Sequence, residues 1–380
     1  MLFDRQRDWR LSLPQLLAGI TVTHDNKDVV MTLSSYVRAT LKPRALLPIL
    51  GSLSTGVLLM TTPVTSAQAA QYYNCATDSG CKRVGTRIFT SNHTKTQYPV
   101  VLAHGLGGFN KLFGVVDYFY GIPQNLMSSG SDVYATKTSA VNNSEVRGEQ
   151  LLQQIKTISA VSGKSKVNLI GHSQGGIDIR YVAGVAPKYV ASVTAVSSPE
   201  QGSKTADDVL KTISSTGVVG DAALGFLELI GGFTDVSSGT SIFELQEQDG
   251  WKSLVALSTD GAARFNAKFP AAMPQSYCGQ PTSTAVNGIK YYSFSGVGQI
   301  TNILDVSDAA LALTSLSFKG EANDGVVSAC SSRLGYVVRE DYKMNHMDSV
   351  NQVLGLTAWG EVNPKTIYRE QVNRLKNANL

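Results

Sequence analysis

Three groups in this 380-residue chain could do chemistry together: a serine between glycines (Gly171-His172-Ser173-Gln174-Gly175), an acidic turn (Asn323-Asp324-Gly325) and a late histidine, His346. A serine hydroxyl is a weak nucleophile until an imidazole takes its proton, and that imidazole needs a carboxylate to fix its tautomer and stabilise its cation. Glycines two before and two after a serine permit the tight strand-to-helix turn that presents the hydroxyl. The base follows by elimination among His93, His104, His172 and His346, the histidines beyond residue 69. His172 is the neighbour of Ser173 in the turn and points away from it. His104 precedes Gly105-Leu106-Gly107-Gly108 and suits shaping that loop, while His93 lies in a polar segment (TSNHTKTQ) that reads as solvated surface. His346, in a loop before a helical run, is left. Asp324 is the choice of acid over Asp305, Asp308 and Glu321 because its turn follows the apolar run Leu313 to Phe318, although N-D-G is also a common structural turn. The oxyanion formed on attack needs two aimed N–H groups, expected at Gln174, just after the serine, and at Leu106, in the loop after the first core strand.

Such groups need a scaffold that brings distant segments to one edge. Tyr98 to Ala103 reads as a buried strand ending at His104-Gly105, and Val133-Tyr134-Ala135 as the next strand. Glu145 to Ser159 carries Leu151, Leu152, Ile155 and Ile158 at helical spacing, and Lys166 to Ile170 is a strand leading to Ser173. From Gln174 the pattern is helical as far as Pro187, and Val190 to Ser197 is again a strand. This alternation predicts an α/β fold, a mostly parallel central sheet flanked by helices, with its site beyond the carboxyl ends of the strands. The rhythm lapses between Gln201 and Phe265. There Asp221 to Phe233 (DAALGFLELIGGF) is an apolar helix with glycines at both ends, either buried or a mobile lid over an apolar site.

The chain divides into residues 1–69, an N-terminal extension with a secretory signal, and 70–380, a single catalytic domain. Ala45 to Val64 is an apolar stretch preceded by Arg38, Lys42 and Arg44 and followed by Ala67-Gln68-Ala69, a small-x-small cleavage pattern. An uncleaved membrane anchor is the rival reading, opposed by Pro48, Gly51, Ser52 and Ser54. Met31 is an alternative start that gives a signal of ordinary length. The removed part holds seven Lys or Arg against four Asp, so most of the net charge of +4 leaves with it. No basic surface for nucleic acid is implied. Four cysteines, Cys75, Cys81, Cys278 and Cys330, follow the export signal and favour disulfides over reactive thiols. Three pairings are open; Cys75 with Cys81 suits a small local loop, which leaves Cys278 with Cys330.

With His104-Gly105-Leu106-Gly107-Gly108-Phe109-Asn110, Gly171 to Gly176, Asn323-Asp324-Gly325 and Asn345-His346-Met347-Asp348 read together, the chain resembles the secreted Gram-negative true lipases of the Pseudomonas type. The resemblance runs from about Tyr98 to the last residues. It implies an α/β-hydrolase fold, a Ser173, Asp324, His346 triad, oxyanion donors at Leu106 and Gln174, and a helical lid at about 214–238. It also implies one structural calcium ion on Asp305, Asp348 and the backbone carbonyls of Gln352 and Leu356, and a disulfide between Cys278 and Cys330. Without it, Asp348 reads as a helix N-cap and Asp305 and Asp308 as turn residues. The expected activity is hydrolysis of long-chain triacylglycerol at an oil-water interface by a monomer exported through the periplasm, with a periplasmic lipase-specific foldase as partner. The alternatives are a soluble carboxylesterase or phospholipase with the same triad, and a non-catalytic lipid-binding protein on a hydrolase fold.

Overall fold

The computed structural model describes residues 68–108, 111–112, 116–216 and 249–380. The signal-like stretch, the alternative start at Met31 and all of the 214–238 lid segment after Thr216 lie outside the described residues. The described strands are β1 (Ala69–Ala76), β2 (Gly80–Ile88), β3 (Val100–Ala103), β4 (Lys111–Leu112), β5 (Val116–Asp117), β6 (Val133–Ala135), β7 (Val167–His172), β8 (Val190–Val196), β9 (Ala285–Val286), β10 (Ile289–Gly296) and β11 (Tyr336–Tyr342). The described helices are α1 (Ile122–Met127), α2 (Ser144–Ser162), α3 (Gln174–Val185), α4 (Lys204–Thr216), α5 (Asp249–Leu257), α6 (Thr259–Lys268), α7 (Ser307–Ser315) and α8 (Pro364–Asn377).

The main sheet runs in the order β11-β10-β8-β7-β3-β6-β1-β2, with β9 added to β10. From β11 to β1 every pairing is parallel; only the β1–β2 hairpin and the short β9 run antiparallel. Parallel strands need crossovers, and α2 and α3 supply those into β7 and β8. The inner strands are buried on both faces, which is why they read as unbroken apolar runs. Successive residues still alternate between the two helical layers. Val100 and Leu102 pack with Ile122, Leu126, Ile367 and Tyr368, whereas Val101 and Ala103 pack with Leu151, Ile155, Ile158 and Ile179.

Local chemistry sets the helix limits. Asn143 caps α2 by accepting the Val146 N–H at 2.9 Å, and Gly163 ends that helix at φ +67°. Helix α3 stops before Pro187, which has no N–H to continue it. Two disulfides are present, Cys75–Cys81 across the β1–β2 hairpin and Cys278–Cys330 closing a separation of 52 residues. On the chain-entropy model the first stabilises by roughly 2 kcal/mol and the second by about 4.

Candidate active site

Strand β7 delivers Ser173 to the carboxyl edge of the sheet at φ 54°, ψ −129°, and Gln174 opens α3 immediately after it. A left-handed φ on a non-glycine residue stores on the order of 1–3 kcal/mol, and it turns the hydroxyl out of the strand-to-helix bend. The flanking glycines are required by contact. A Cβ on Gly171 would lie 2.2 Å from the Gly175 carbonyl oxygen, and one on Gly175 would lie 2.5 Å from that of Ala103. The loop after β3 approaches as closely, since a Cβ on Gly105 would come within 2.7 Å of Ser173 Cβ.

That loop carries Leu106. Gly107 N–H donates to Ala140 O at 2.8 Å and Gly108 N–H to Gly105 O at 3.2 Å, while the N–H groups of Leu106 and Gln174 have no acceptor among the described residues. The loop is held from below by Arg147, fully buried, which donates to His104 O at 2.8 Å and Gly105 O at 3.2 Å and pairs with Asp178 at 2.8 Å. His104 belongs to the same support. Its Nε2 accepts from Thr138 N–H at 3.2 Å and its Nδ1–H donates to Gly105 O at 2.8 Å. Burial, and then the Arg147 charge, push this imidazole down to about 3, so it stays neutral.

His346 lies four residues past β11. Its Nδ1 bonds Asp324 Oδ2 at 2.8 Å, and its backbone N–H donates to Asp324 O at 2.9 Å. Asp324 is fully buried, and its other oxygen accepts the Val326 and Val327 N–H groups at 3.0 and 2.8 Å. The rival carboxylates are engaged elsewhere: Glu321 with Lys204 and Tyr277, Asp308 with Asn345 and the N–H groups of Thr301 and Asn302, Asp305 with Ser307.

One connection could not be read along the chain. His172, the buried neighbour of Ser173, faces the His346 carbonyl with Nε2 at 3.0 Å, and the two imidazoles meet at a tilt of 44° with centroids 4.6 Å apart. A carbonyl only accepts, so Nε2 carries the proton and Nδ1 accepts from Tyr118 Oη at 2.7 Å. Tyr118 Oη in turn accepts the Gly105 N–H at 3.2 Å. The elbow, the loop that carries Leu106 and the histidine loop are thereby tied through one buried chain of hydrogen bonds. Burial, reinforced by His346, holds the His172 imidazole well below its ordinary value, which keeps it neutral. No short motif marks Tyr118; only its contact reveals it.

The residues expected to hold calcium differ in how their donor atoms are engaged. Asp348 does not cap a helix: the stretch after it is a 3₁₀ turn, Asp348–Val350, whose N-cap is Met347. Asp305 Oδ2 and Asp348 Oδ1 are buried with no hydrogen-bond partner. Among the described residues, the carbonyls of Gln352 and Leu356 accept no hydrogen bond. Burial, with Asp305 and Asp308 adding to it, raises Asp348 to about 7, and burial also raises Asp305. Two orphaned carboxylate oxygens and two free carbonyls fit a hard cation. No group of three or more His, Cys, Asp or Glu side chains able to hold a metal occurs among the described residues, and the set above mixes two carboxylates with two backbone carbonyls.

A family model for the alpha/beta hydrolase fold matches residues 98–224. A triacylglycerol lipase of Vibrio cholerae serotype O1 is 48% identical over 288 residues, 76% of this chain and 90% of that protein. One from Burkholderia plantarii is 38% identical over 76% of this chain and 88% of its own length. Among solved structures, the mature form of the Bacillus licheniformis lipase BlEst2 aligns with a TM-score of 0.50 at 18% identity, covering 76% of this chain and 94% of that one, a likeness of fold.

Proposed function

We propose that this chain, which belongs to the triacylglycerol lipases and is a serine ester hydrolase, is a secreted enzyme acting on long-chain triacylglycerols at an oil-water interface. Ser173 attacks the ester carbonyl while His346 Nε2 takes its proton, and Asp324, through the bond to Nδ1, holds the imidazole in the accepting tautomer. The oxyanion is received by the N–H groups of Leu106 and Gln174, the latter at the N-terminus of a 12-residue helix whose dipole favours negative charge. His346 then returns the proton to the departing alcohol. Water, deprotonated by the same imidazole, releases the fatty acid from the acyl-enzyme.

The observation that carries this reading is the 2.8 Å bond between His346 and Asp324 on a loop anchored to His172, the residue next to Ser173. Asp305, Asp348 and the carbonyls of Gln352 and Leu356 would hold calcium. Bound there, the ion supplies charge neutralisation and a clamp on the His346 loop, with no part in bond making. Ala45 to Val64 would direct export through the periplasm, and the family resemblance extends the reading to a dedicated periplasmic foldase and a monomeric product. No helix among the described residues is long and apolar enough to cross a membrane.

Initial rates on emulsified triolein and on dissolved p-nitrophenyl acetate test the substrate class. The emulsified long-chain glyceride should be the better substrate at equal ester concentration; preference for the dissolved ester would make the enzyme a soluble esterase.

A further inference from the structure

The surface beside the histidine loop is unusually apolar. Ile303 is 94% exposed, Trp359 86% and Val306 82%, with Ile300, Leu304 and Leu316 each about two-thirds exposed. Single exposed aliphatics are ordinary, but six large ones on two neighbouring segments are not. Asn302 Nδ2 donates to Thr357 O at 3.4 Å, and Ile300, Trp359 and the α7 residues Ala312 and Ser315 line one shallow cleft, so the segments form a continuous face.

Its charge pattern is one-sided. From Val297 to Phe318 the only charged residues are Asp305 and Asp308, each 5% exposed and turned inward, and Leu354 to Gly360 contains none. The exposed lysines at its rim are Lys319 and Lys343, and the nearby acids Asp341 and Glu361 are paired with Arg339. The face also begins at the reaction centre, because Gly298 N–H donates to Met344 O at 2.9 Å and Asn345 Nδ2 to Asp308 Oδ1 at 2.7 Å, next to His346.

We propose that residues 300–316 with 354–359 form a docking face for a neutral lipid surface, separate in sequence from the 214–238 segment. The proposal rests on the lipase reading and adds to it where the enzyme meets oil. An oil surface offers no partner for charge, so a face whose acids all point inward can lie against it without desolvating a carboxylate. Tryptophan suits such a boundary, having an apolar body and one polar N–H. Hydrolysis adds fatty-acid carboxylates to that surface, which Lys319 and Lys343 complement.

The test compares wild type with the combined Ile303→Ser, Val306→Ser, Trp359→Ser variant. Partition onto triolein droplets is read in a Ser173→Ala background, so that no product accumulates. Partition and triolein hydrolysis should each fall at least tenfold in the variant, while hydrolysis of dissolved p-nitrophenyl acetate and the calcium-dependent thermal midpoint stay unchanged. Adding oleate to the droplets should strengthen partition, and Lys319→Gln with Lys343→Gln should abolish that gain. Unchanged partition overturns the proposal, as does a wild-type dimer that the substitutions turn into a monomer without altering partition, which would assign the face to a second copy. A wild type that does not cleave triolein at all would instead refute the lipase reading.

Discussion

The elbow and the 300–359 flank are neighbours that meet their polar requirements in opposite ways. Around Ser173, Gly105 N–H, Tyr118 Oη, both His172 nitrogens and all of the Asp324 oxygens find partners within the protein. Folding itself completes that chain of hydrogen bonds, and the N–H groups of Leu106 and Gln174 and the Ser173 hydroxyl are left for substrate on the proposed mechanism. On the flank, Asp305 Oδ2 and Asp348 Oδ1 are buried without partners, and Ile303, Val306 and Trp359 stand in solvent. On the proposed reading that region is completed by what binds to it, a cation on the inside and a lipid surface on the outside. The contrast predicts that replacements at the elbow damage chemistry, whereas ligands on the flank act on stability and access.

Asp324→Asn should have the largest effect. It keeps the shape but lets His346 adopt the wrong tautomer, so kcat on a dissolved ester should fall about 10⁴-fold with little change in KM. Comparable activity in this variant would mean that another carboxylate serves the imidazole. His172→Phe keeps the bulk and removes the link between Tyr118 and the His346 carbonyl. A shift of that loop by about 1 Å should reduce kcat roughly 10²-fold with KM held, whereas a role in packing alone would lower the thermal midpoint and leave kcat intact.

The flank predicts a smaller effect, on stability. If calcium exceeds its dissociation constant about 100-fold, it contributes about 2.7 kcal/mol, and chelation should lower Tm by roughly 4 °C, reversibly on adding calcium. The pH dependence has a definite sign. Without the ion, Asp348 titrates near 7 when folded and near 3.8 when exposed, so folding favours its protonated form. The stability this contributes is present at low pH and is lost as pH rises from about 4 through 7. Calcium binds the ionised carboxylate, so the gain in Tm on adding it should grow over the same interval. A gain that shrinks as pH rises would exclude Asp348 as a ligand.

Much of the sheet was legible because buried parallel strands leave short apolar runs, and Val133–Ala135 was readable to its end residues. The elbow was legible because the spacing of Gly171 and Gly175 reflects a backbone contact that tolerates no Cβ. Strands β10 and β11 are not legible in the sequence, since β11 is a partly exposed edge strand rich in charge (YVVREDY) and β10 follows a long loop region. The β1–β2 hairpin was visible only through the spacing of its cysteines. Apolar periodicity says nothing about Tyr118 and His172, which meet across 54 positions through a phenol and an imidazole. Asp324 could be preferred to Glu321 on turn chemistry, but only the fold shows Glu321 occupied by Lys204 and Tyr277.

The central claim is that Ser173 is the nucleophile and His346 its base. Peptide mapping of the adduct formed with a p-nitrophenyl alkylphosphonate, run on wild type and His346→Ala, tests it most directly. The expected result is a single phosphonate on the Ser173 peptide, forming at least about 10³-fold more slowly in His346→Ala. An adduct at another residue, or equal rates in the two proteins, would contradict it.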